Sequence, residues 1–404
     1  MFRPFWIGAA FILAAAPALK EASPATALWA APSILLAALL IAWAAESAQF
    51  FIAQGFALAI LAWMQTMPEF AVEAVLAWRQ QVPFLFANLT GALRLLTGLG
   101  WPAIYFAAAF VHRRRTKTPL RRIRMEAEHS VGVIGLLPPL LYAGFIVWKG
   151  SLHLYDAVVL IAIYAAYLAL LSRMPPQEEE GIEDLERVPR FIVLSPRPRR
   201  IALIGLCFLA GGVLIFFTAE PFLGSLFAIS VLIGVPSFIF IQWVAPFISE
   251  FPELASTFYW ARTVHRAPMA LMNMVSSNIN QWTLLVAMLP IVFSWSRGAV
   301  SGIPLDHQQE IEVLMTIGQQ LVGMLLLVNM ELAWWEAAAL FVLWAVQFGS
   351  NERMHEGITV LYFAWAGVEV VRILMGRRKP EAFIEFARMW RVHVRGAASG
   401  EPRA

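Results

Sequence analysis

Four glutamates stand in two close pairs within apolar sequence: Glu69 with Glu73, and Glu250 with Glu253. Spacings of four and three residues let the members of each pair share a helix face. Carboxyl oxygens in such surroundings coordinate hard cations. They also trade protons: if both members of a pair faced one dry cavity, one would hold its proton at neutral pH. The alternative for Glu73 and Glu250 is a water-facing position near a span end or crevice. Each pair is joined to a proline, in Pro68-Glu69 and Pro252-Glu253. Proline cannot donate to a helical ladder, and its ring crowds the carbonyl four residues back.

A second set of polar side chains lies downstream. Asn273, Ser277 and Gln281 recur at i, i+4 and i+8, with Ser276 and Asn280 beside them. They form a polar stripe on an otherwise apolar helix. Singly, such residues make interhelical hydrogen bonds of about 1 kcal/mol. Five together, following a Pro-Glu break, point to a cavity. Arg94 is a lone cation in mid-span, placed to neutralise Glu69 or Glu73 or to stand in for a bound cation. Glu46 and Glu220 fall at apparent span ends, where solvation is expected. The single cysteine, Cys207, excludes an intrachain disulfide or a cysteine-based metal cluster. Neither a His-Glu-x-x-His pair nor a phosphate-binding glycine loop occurs, so neither an intramembrane enzyme nor an ATP-driven pump is expected.

The elements that hold these residues are membrane helices. Hydrophobic residues make up 60% of the chain and charged ones 14%, against roughly 25% charged in an average soluble protein. Apolar runs near the roughly twenty residues needed to span a bilayer are expected at 28–45, 50–78, 83–111, 131–148, 154–171, 201–217, 222–260, 268–295, 311–330, 334–348 and 358–375. The short run 5–19 fits a retained helix or a signal peptide. The run 50–78 is broken at Pro68 and the run 222–260 at Pro246 and Pro252. A helix broken at bilayer depth persists only where it is buried in protein or lines a cavity. The polar stretch 173–200 holds Glu178, Glu179, Glu180, Glu183, Asp184 and Glu186 and reads as a solvated linker. The tail after Pro380 is mildly amphipathic and suits the membrane surface. Arginine-rich stretches at 112–129 and 173–200 lie two spans apart and so share a face, which the positive-inside rule puts in the cytoplasm. A bacterial-type plasma membrane fits.

The chain repeats itself. Pro68-Glu69 recurs as Pro252-Glu253, 184 residues on, and Asn88 as Asn273, 185 on. Tyr155-Asp156-Ala157 parallels Trp335-Glu336-Ala337, 180 on, and Ala45-Glu46 parallels Ala219-Glu220, 174 on. Five spans separate the copies, and an odd number inverts the second. The fold expected is all-α and polytopic: two inverted five-helix repeats, ten core helices, and one extra helix at each end. The divisions are 1–26, a first repeat 27–172, a linker 173–200, a second repeat 201–350, and 351–404.

At these residues the sequence resembles the sodium/calcium exchanger family. That family pairs a Gly-Thr-Ser-x-Pro-Glu break with an Asn-x-x-Gly-Ser-Asn-Ile-x-Asn/Asp helix in each repeat. Here the breaks read Met64-Gln65-Thr66-Met67-Pro68-Glu69 and Ile248-Ser249-Glu250-Phe251-Pro252-Glu253. The second partner helix, Asn273 to Gln281, matches well; the first, Asn88 to Leu96, keeps Asn88 and Gly91. The resemblance implies exchange of Na+ or H+ for Ca2+ or another cation by alternating access through a midplane site. It makes Glu69 and Glu253 the central metal-binding carboxylates. Thr66, Ser249 and Ser277 become supporting donors, Gln281 takes the Asn/Asp position, and Asn273 joins the ion-binding set. Glu73, Glu250, Arg94 and Asn280 are left as proton-coupling or modulating residues. The ligands are transported cations with no cofactor, and the partners are lipid and small inorganic cations, not nucleic acid. Ala92, Arg94 and Leu96 depart from the motif. Either the cation or stoichiometry differs, or Arg94 fills one ion site permanently. A transport-inactive relative serving as a sensor or structural partner is the alternative.

Overall fold

A computed structural model describes residues 23–48, 50, 66–174, 182, 185–348 and 352–395. The run 5–19, Gln65, and Glu178 to Glu180 with Glu183 and Asp184 lie outside them. Among the described residues, eight helices are long and apolar enough to cross a membrane: Pro24–Ala48, Val82–Thr116, Ala127–Lys149, Leu154–Leu171, Arg197–Ile233, Ala267–Arg297, His307–Leu327 and Arg353–Leu374. Shorter apolar helices, Ser237–Ser249 and Trp334–Val346, supply further members of the second repeat. The chain is an all-α membrane protein of two inverted five-helix repeats, with an additional helix after the second.

Backbone detail repeats along with the residues. Left-handed backbone occurs at Gln80 and Val264, at Lys117 and Gly298, and at Gly150 and Met330. These pairs are separated by 184, 181 and 180 residues, so equivalent turns end equivalent helices. Short π-helical segments, Leu96–Gly100 and Gln281–Leu285, interrupt the two partner helices at positions 185 apart. Asp156 and Glu336 sit at the third helical position, where each accepts from a backbone N–H three residues back. His153 donates at 2.6 Å and Ala333 at 2.8 Å. The Tyr155 and Trp335 motifs therefore recur because both begin a helix.

By contact the described chain divides into two compact units that cut across the repeats. The first holds 23–48, 50, 66–92, 182 and 185–253. In it the Ala27–Ala48 helix packs along the Arg197–Ile233 helix, where a methyl group on Gly211 would lie 3.0 Å from the Ala37 carbonyl. Gly91 meets the backbone of Gln242 still more closely, and any Cβ there would overlap the Gln242 carbonyl. That approach accounts for a glycine three residues after Asn88.

The Arg197–Ile233 helix corrects the expected spans. It runs unbroken for 37 residues through Glu220 and Pro221, about 55 Å at 1.5 Å per residue. The turn comes at Gly234, in the left-handed region at φ +71°. The linker expected to be solvated contains the Arg187–Leu194 helix, which buries Pro189, Ile192 and Val193. Trp43 Nε1 donates to Glu186 Oε2 at 3.3 Å, tying it to the first helix. Glu46 is buried rather than solvated. Glu220 is exposed and pairs with Arg79.

The second unit holds 93–174, 254–348 and 352–395. Two antiparallel ribbons join its loops. Arg122–Arg124 pairs with Glu331–Ala333, and Ser151–Leu152 pairs with Ile303–Pro304. Repeat equivalence carries the first strand of one ribbon onto the second strand of the other, so the inversion exchanges the ribbons. The tail after Pro380, expected on the membrane surface, forms the Glu381–Met389 helix and docks on protein. Ala382 N donates to Val328 O at 2.8 Å.

The glycine contacts give a test. Gly91→Ala should destabilise the protein by about 1–3 kcal/mol, the usual cost of overpacking. Gly212→Ala, facing open space, should leave the thermal unfolding midpoint in detergent unchanged.

Candidate functional site

The first unit gathers carboxyls at two helix starts. Thr66 occupies the position before the Met67–Trp78 helix, and its carbonyl accepts from Glu69 N and Phe70 N, both at 3.1 Å. Pro68 lies in the first turn, where its missing N–H costs nothing. Glu69 lies there too, at the positive end of the helix dipole. Glu73 is one turn further along and accepts from Asn88 Nδ2 at 2.9 Å. The second break is built alike. The Ser237–Ser249 helix ends at Glu250, whose N–H donates to Pro246 O at 2.8 Å, and the Phe251–Ala261 helix starts at once with Pro252 and Glu253 in its first turn. Ser249 Oγ donates to Pro246 O at 3.3 Å.

These two helix starts converge on Glu69. Its carboxyl is hydrogen-bonded to that of Glu250, with Glu73 and Glu253 close enough to act on it electrostatically. All four are at most 1% exposed, so the water-facing alternative for Glu73 and Glu250 does not hold. Glu73 Oε2 and Asn88 Oδ1 are buried acceptors without a hydrogen-bond partner among the described residues. Each such oxygen costs about 1–3 kcal/mol when left unsatisfied, and a cation or an acidic proton would satisfy it. Among the described residues no three His, Cys, Asp or Glu side chains share metal-ligating geometry. The carboxyls instead bond to each other and to Asn88.

The second unit carries the polar stripe, and burial sorts it. Asn273, Ser277, Asn278, Asn280 and Gln281 are all 0% exposed. Asn278 is a tie: Nδ2 donates to Thr97 Oγ1 at 3.2 Å, and Oδ1 accepts from Gln320 Nε2 at 2.9 Å. Ser276 shares a hydrogen bond with Tyr167 OH at 3.1 Å. Ser277 Oγ is buried without a partner among the described residues. Gln281 opens one π-helical segment and Leu96 opens the other. The position expected to supply an Asn/Asp ligand thus begins a π-turn in both repeats, and such turns are frequent at functional sites.

A family model described as sodium/calcium exchanger protein matches residues 7–173 and 203–348. The chain belongs to the sodium/calcium exchanger family. Among solved structures, the exchanger is similar to the H+/Ca2+ exchanger CAX, with 30% identity and a TM-score of 0.84 over 96% of this chain and 94% of that one. It shares its fold with native YfkE, at 12% identity and a TM-score of 0.60 over 88% of this chain and 98% of that one. It also shares its fold with NCX_Mj, a sodium-calcium exchanger soaked with Na+ and Sr2+, at 17% identity and a TM-score of 0.54 over 81% and 98%. No curated protein matches the chain in sequence. Family and fold together make the chain an integral membrane cation antiporter.

In this exchanger Arg94 pairs with Glu312. Arg94 and Glu312 meet at 2.6 Å, 0% and 1% exposed. The other Glu312 oxygen is 2.6 Å from His355 Nδ1, and His355 Nε2 faces the Gln347 carbonyl at 3.2 Å. Gln319 Nε2 donates to Arg94 O and Gln320 Nε2 to Leu93 O, both at 2.9 Å. Gln347 and Tyr362 close the set around Gln319. Glu312 carried a legible signal, since it is an acid inside an apolar run as Glu69 is. His355 did not, because it precedes the apolar stretch expected from Ile358, and the helix starts earlier, at Glu352.

Removing one partner of a buried pair leaves the other charge uncompensated. Arg94→Met and Glu312→Leu should each cost about 3–5 kcal/mol, with the double variant recovering most of it. Thermal unfolding in detergent reads this cycle, and strictly additive losses would refute coupling.

Proposed function

We propose that the chain exchanges protons for Ca2+ or another divalent cation, with Glu69, Glu73, Glu250 and Glu253 as the exchange site. The hydrogen bond between the Glu69 and Glu250 carboxyls carries this reading. Two carboxyls share such a bond only when one of them supplies a proton, because a carboxylate accepts only. The same oxygens are the hard donors that a divalent cation needs. Four negative charges cannot stand together in low dielectric. A departing cation is therefore replaced by protons, and an arriving one expels them. Thr66, Ser249 and Asn88 offer oxygens in the first unit, and Asn273, Ser277, Asn280 and Gln281 make up the polar stripe of the second. Similarity to an H+/Ca2+ exchanger at 30% identity supports H+ over Na+ as the coupling ion. The two broken helices suit alternating access, since each can tilt about its break.

The transport-inactive alternative rests on Arg94 and Leu96. Arg94 pairs with Glu312 at 2.6 Å, which gives its charge a structural role. Only Leu96, fully buried and lacking a donor oxygen, still favours that alternative. We further read the loops 112–129 and 173–200 as cytoplasmic in a plasma membrane. Transported cations are the ligands, with no cofactor and no covalent step.

Purified protein in liposomes should take up Ca2+ when the lumen is made acidic, as protons leave down their gradient, and Glu69→Gln or Glu253→Gln should abolish the coupled flux. Flux that survives in both variants would remove these residues from the site, and flux driven by Na+ but indifferent to pH would remove proton coupling. Ca2+ binding in detergent should also weaken as pH falls, because each cation displaces protons. Calorimetry in two buffers of different ionisation enthalpy should then show protons released per Ca2+ bound; no release would contradict the exchange.

A further inference from the structure

We propose that a basic pocket in the second unit, at one end of the Trp334–Val346 and Glu352–Leu374 helices, holds the phosphate headgroup of an anionic lipid. The pocket gathers cations from two places: Arg121 and Arg122 from the start of the first ribbon, and Arg372, Arg377, Arg378 and Lys379 from the last turn of the additional helix and the residues that follow it. Glu331, Glu336 and Glu381 are the carboxylates in its lining, so the lining is net positive. Existing ion pairs divide the cations into floor and rim. Arg378 is the floor. Its guanidinium is 2.8 Å from Glu336 and 3.0 Å from Glu369, donates to Asn329 Oδ1 at 3.1 Å, and also reaches the Leu326 carbonyl. Arg122 is held by Glu331 at 2.5 Å and Arg372 by Glu369 at 2.8 Å. Arg121, Arg377 and Lys379 are exposed, and none of them has an ion pair among the described residues.

The chemistry these three offer is specific. Two guanidinium forks and an ammonium suit the oxygens of a phosphate, which arginine binds in bidentate fashion. They repel the transported cation, so the pocket is not a stage on its route. The surroundings select lipid as the source. Trp334 and Trp335 line the pocket and are 58% and 39% exposed, and Leu374, the last residue of the additional helix, is 81% exposed. Exposed indoles and a leucine at the ends of apolar helices mark the headgroup level of a bilayer. Basic pockets at that level bind anionic headgroups. A ligand here would also brace the ribbon and the additional helix against each other, since Arg122 and Arg378 come from those two elements.

The test uses the full chain, delipidated in detergent and titrated with phosphatidylglycerol, phosphatidylcholine or inorganic phosphate, with bound lipid read by native mass spectrometry. Phosphatidylglycerol should bind more tightly than phosphatidylcholine, and less so at high salt. The triple variant Arg121→Gln, Arg377→Gln, Lys379→Gln should weaken phosphatidylglycerol about 100-fold, which is roughly 1 kcal/mol per side chain. Because these side chains are exposed and unpaired, their loss leaves the Arg378 ion pairs in place. An Arg113→Gln, Arg114→Gln, Arg115→Gln variant, equally basic and elsewhere, should bind as the unaltered chain does. Equal affinity for the two lipids, or an unaffected Arg121/Arg377/Lys379 variant, would overturn the site. Inorganic phosphate that binds as tightly as phosphatidylglycerol and displaces it would overturn the lipid source.

Discussion

Hydrocarbon is intolerant of charge, and this protein answers that constraint in two different ways. One is closure. Arg94 takes Glu312, Arg378 takes Glu336 and Glu369, and Lys149 takes Asp156, each within a buried set. Opposite charges in low dielectric satisfy one another, and the helices that carry them are pinned. The other answer is clustering. Glu69, Glu73, Glu250 and Glu253 are as deeply buried, yet acids face acids. A cluster of that kind is tolerable only with protons or cations bound, so its energy depends on occupancy in a way that the closed pairs do not.

The backbone serves the cluster by starting helices where carboxylates are needed. Pro68 and Pro252 are helix starts more than kinks: each sits in a first turn, and each sets a glutamate at the positive end of a helix dipole. Thr66 and Glu250 are the residues at which helical hydrogen bonding is interrupted. Asn88 then fixes Glu73 from the neighbouring helix, and Gly91, one turn on, lets that helix approach Gln242. The spacing from Asn88 to Gly91 thus joins the amide that holds Glu73 to the contact that holds its helix in place.

Much of this was legible in the sequence, because hydrocarbon punishes exceptions and makes them visible. Proline and glutamate together in an apolar run are hard to explain except as a break, and two such breaks 184 residues apart define the repeat. What the sequence obscured were features whose residue types are ordinary. Pro221 follows Glu220 and looks like a boundary, yet the helix passes through both, because tertiary packing along Ala27–Ala48 outweighs the missing N–H. The π-turns at Leu96 and Gln281 leave no compositional trace. The destination of Arg94 was hidden because its partner lies 218 residues away, in a helix of ordinary amphipathic character.

The asymmetry between the repeats follows from the helix added after them. Glu352–Leu374 supplies His355 and Tyr362 to the network around Arg94, its Arg372 pairs with its own Glu369, and Arg378 just beyond it takes Glu336 and Glu369. Equivalent positions therefore meet different fates. Asp156 is neutralised locally by Lys149, whereas its counterpart Glu336 is neutralised from the chain's tail. Asn273 to Gln281 keeps a full polar stripe, whereas its counterpart has Arg94 and Leu96, and Arg94 is drawn into the His355 network. An inverted repeat alone would offer two equivalent half-sites. A single extra helix can contact only one copy of each symmetric pair, and the copy it contacts is committed to structure. The first repeat therefore keeps Glu69, Glu73 and Asn88 but not the rest of its stripe.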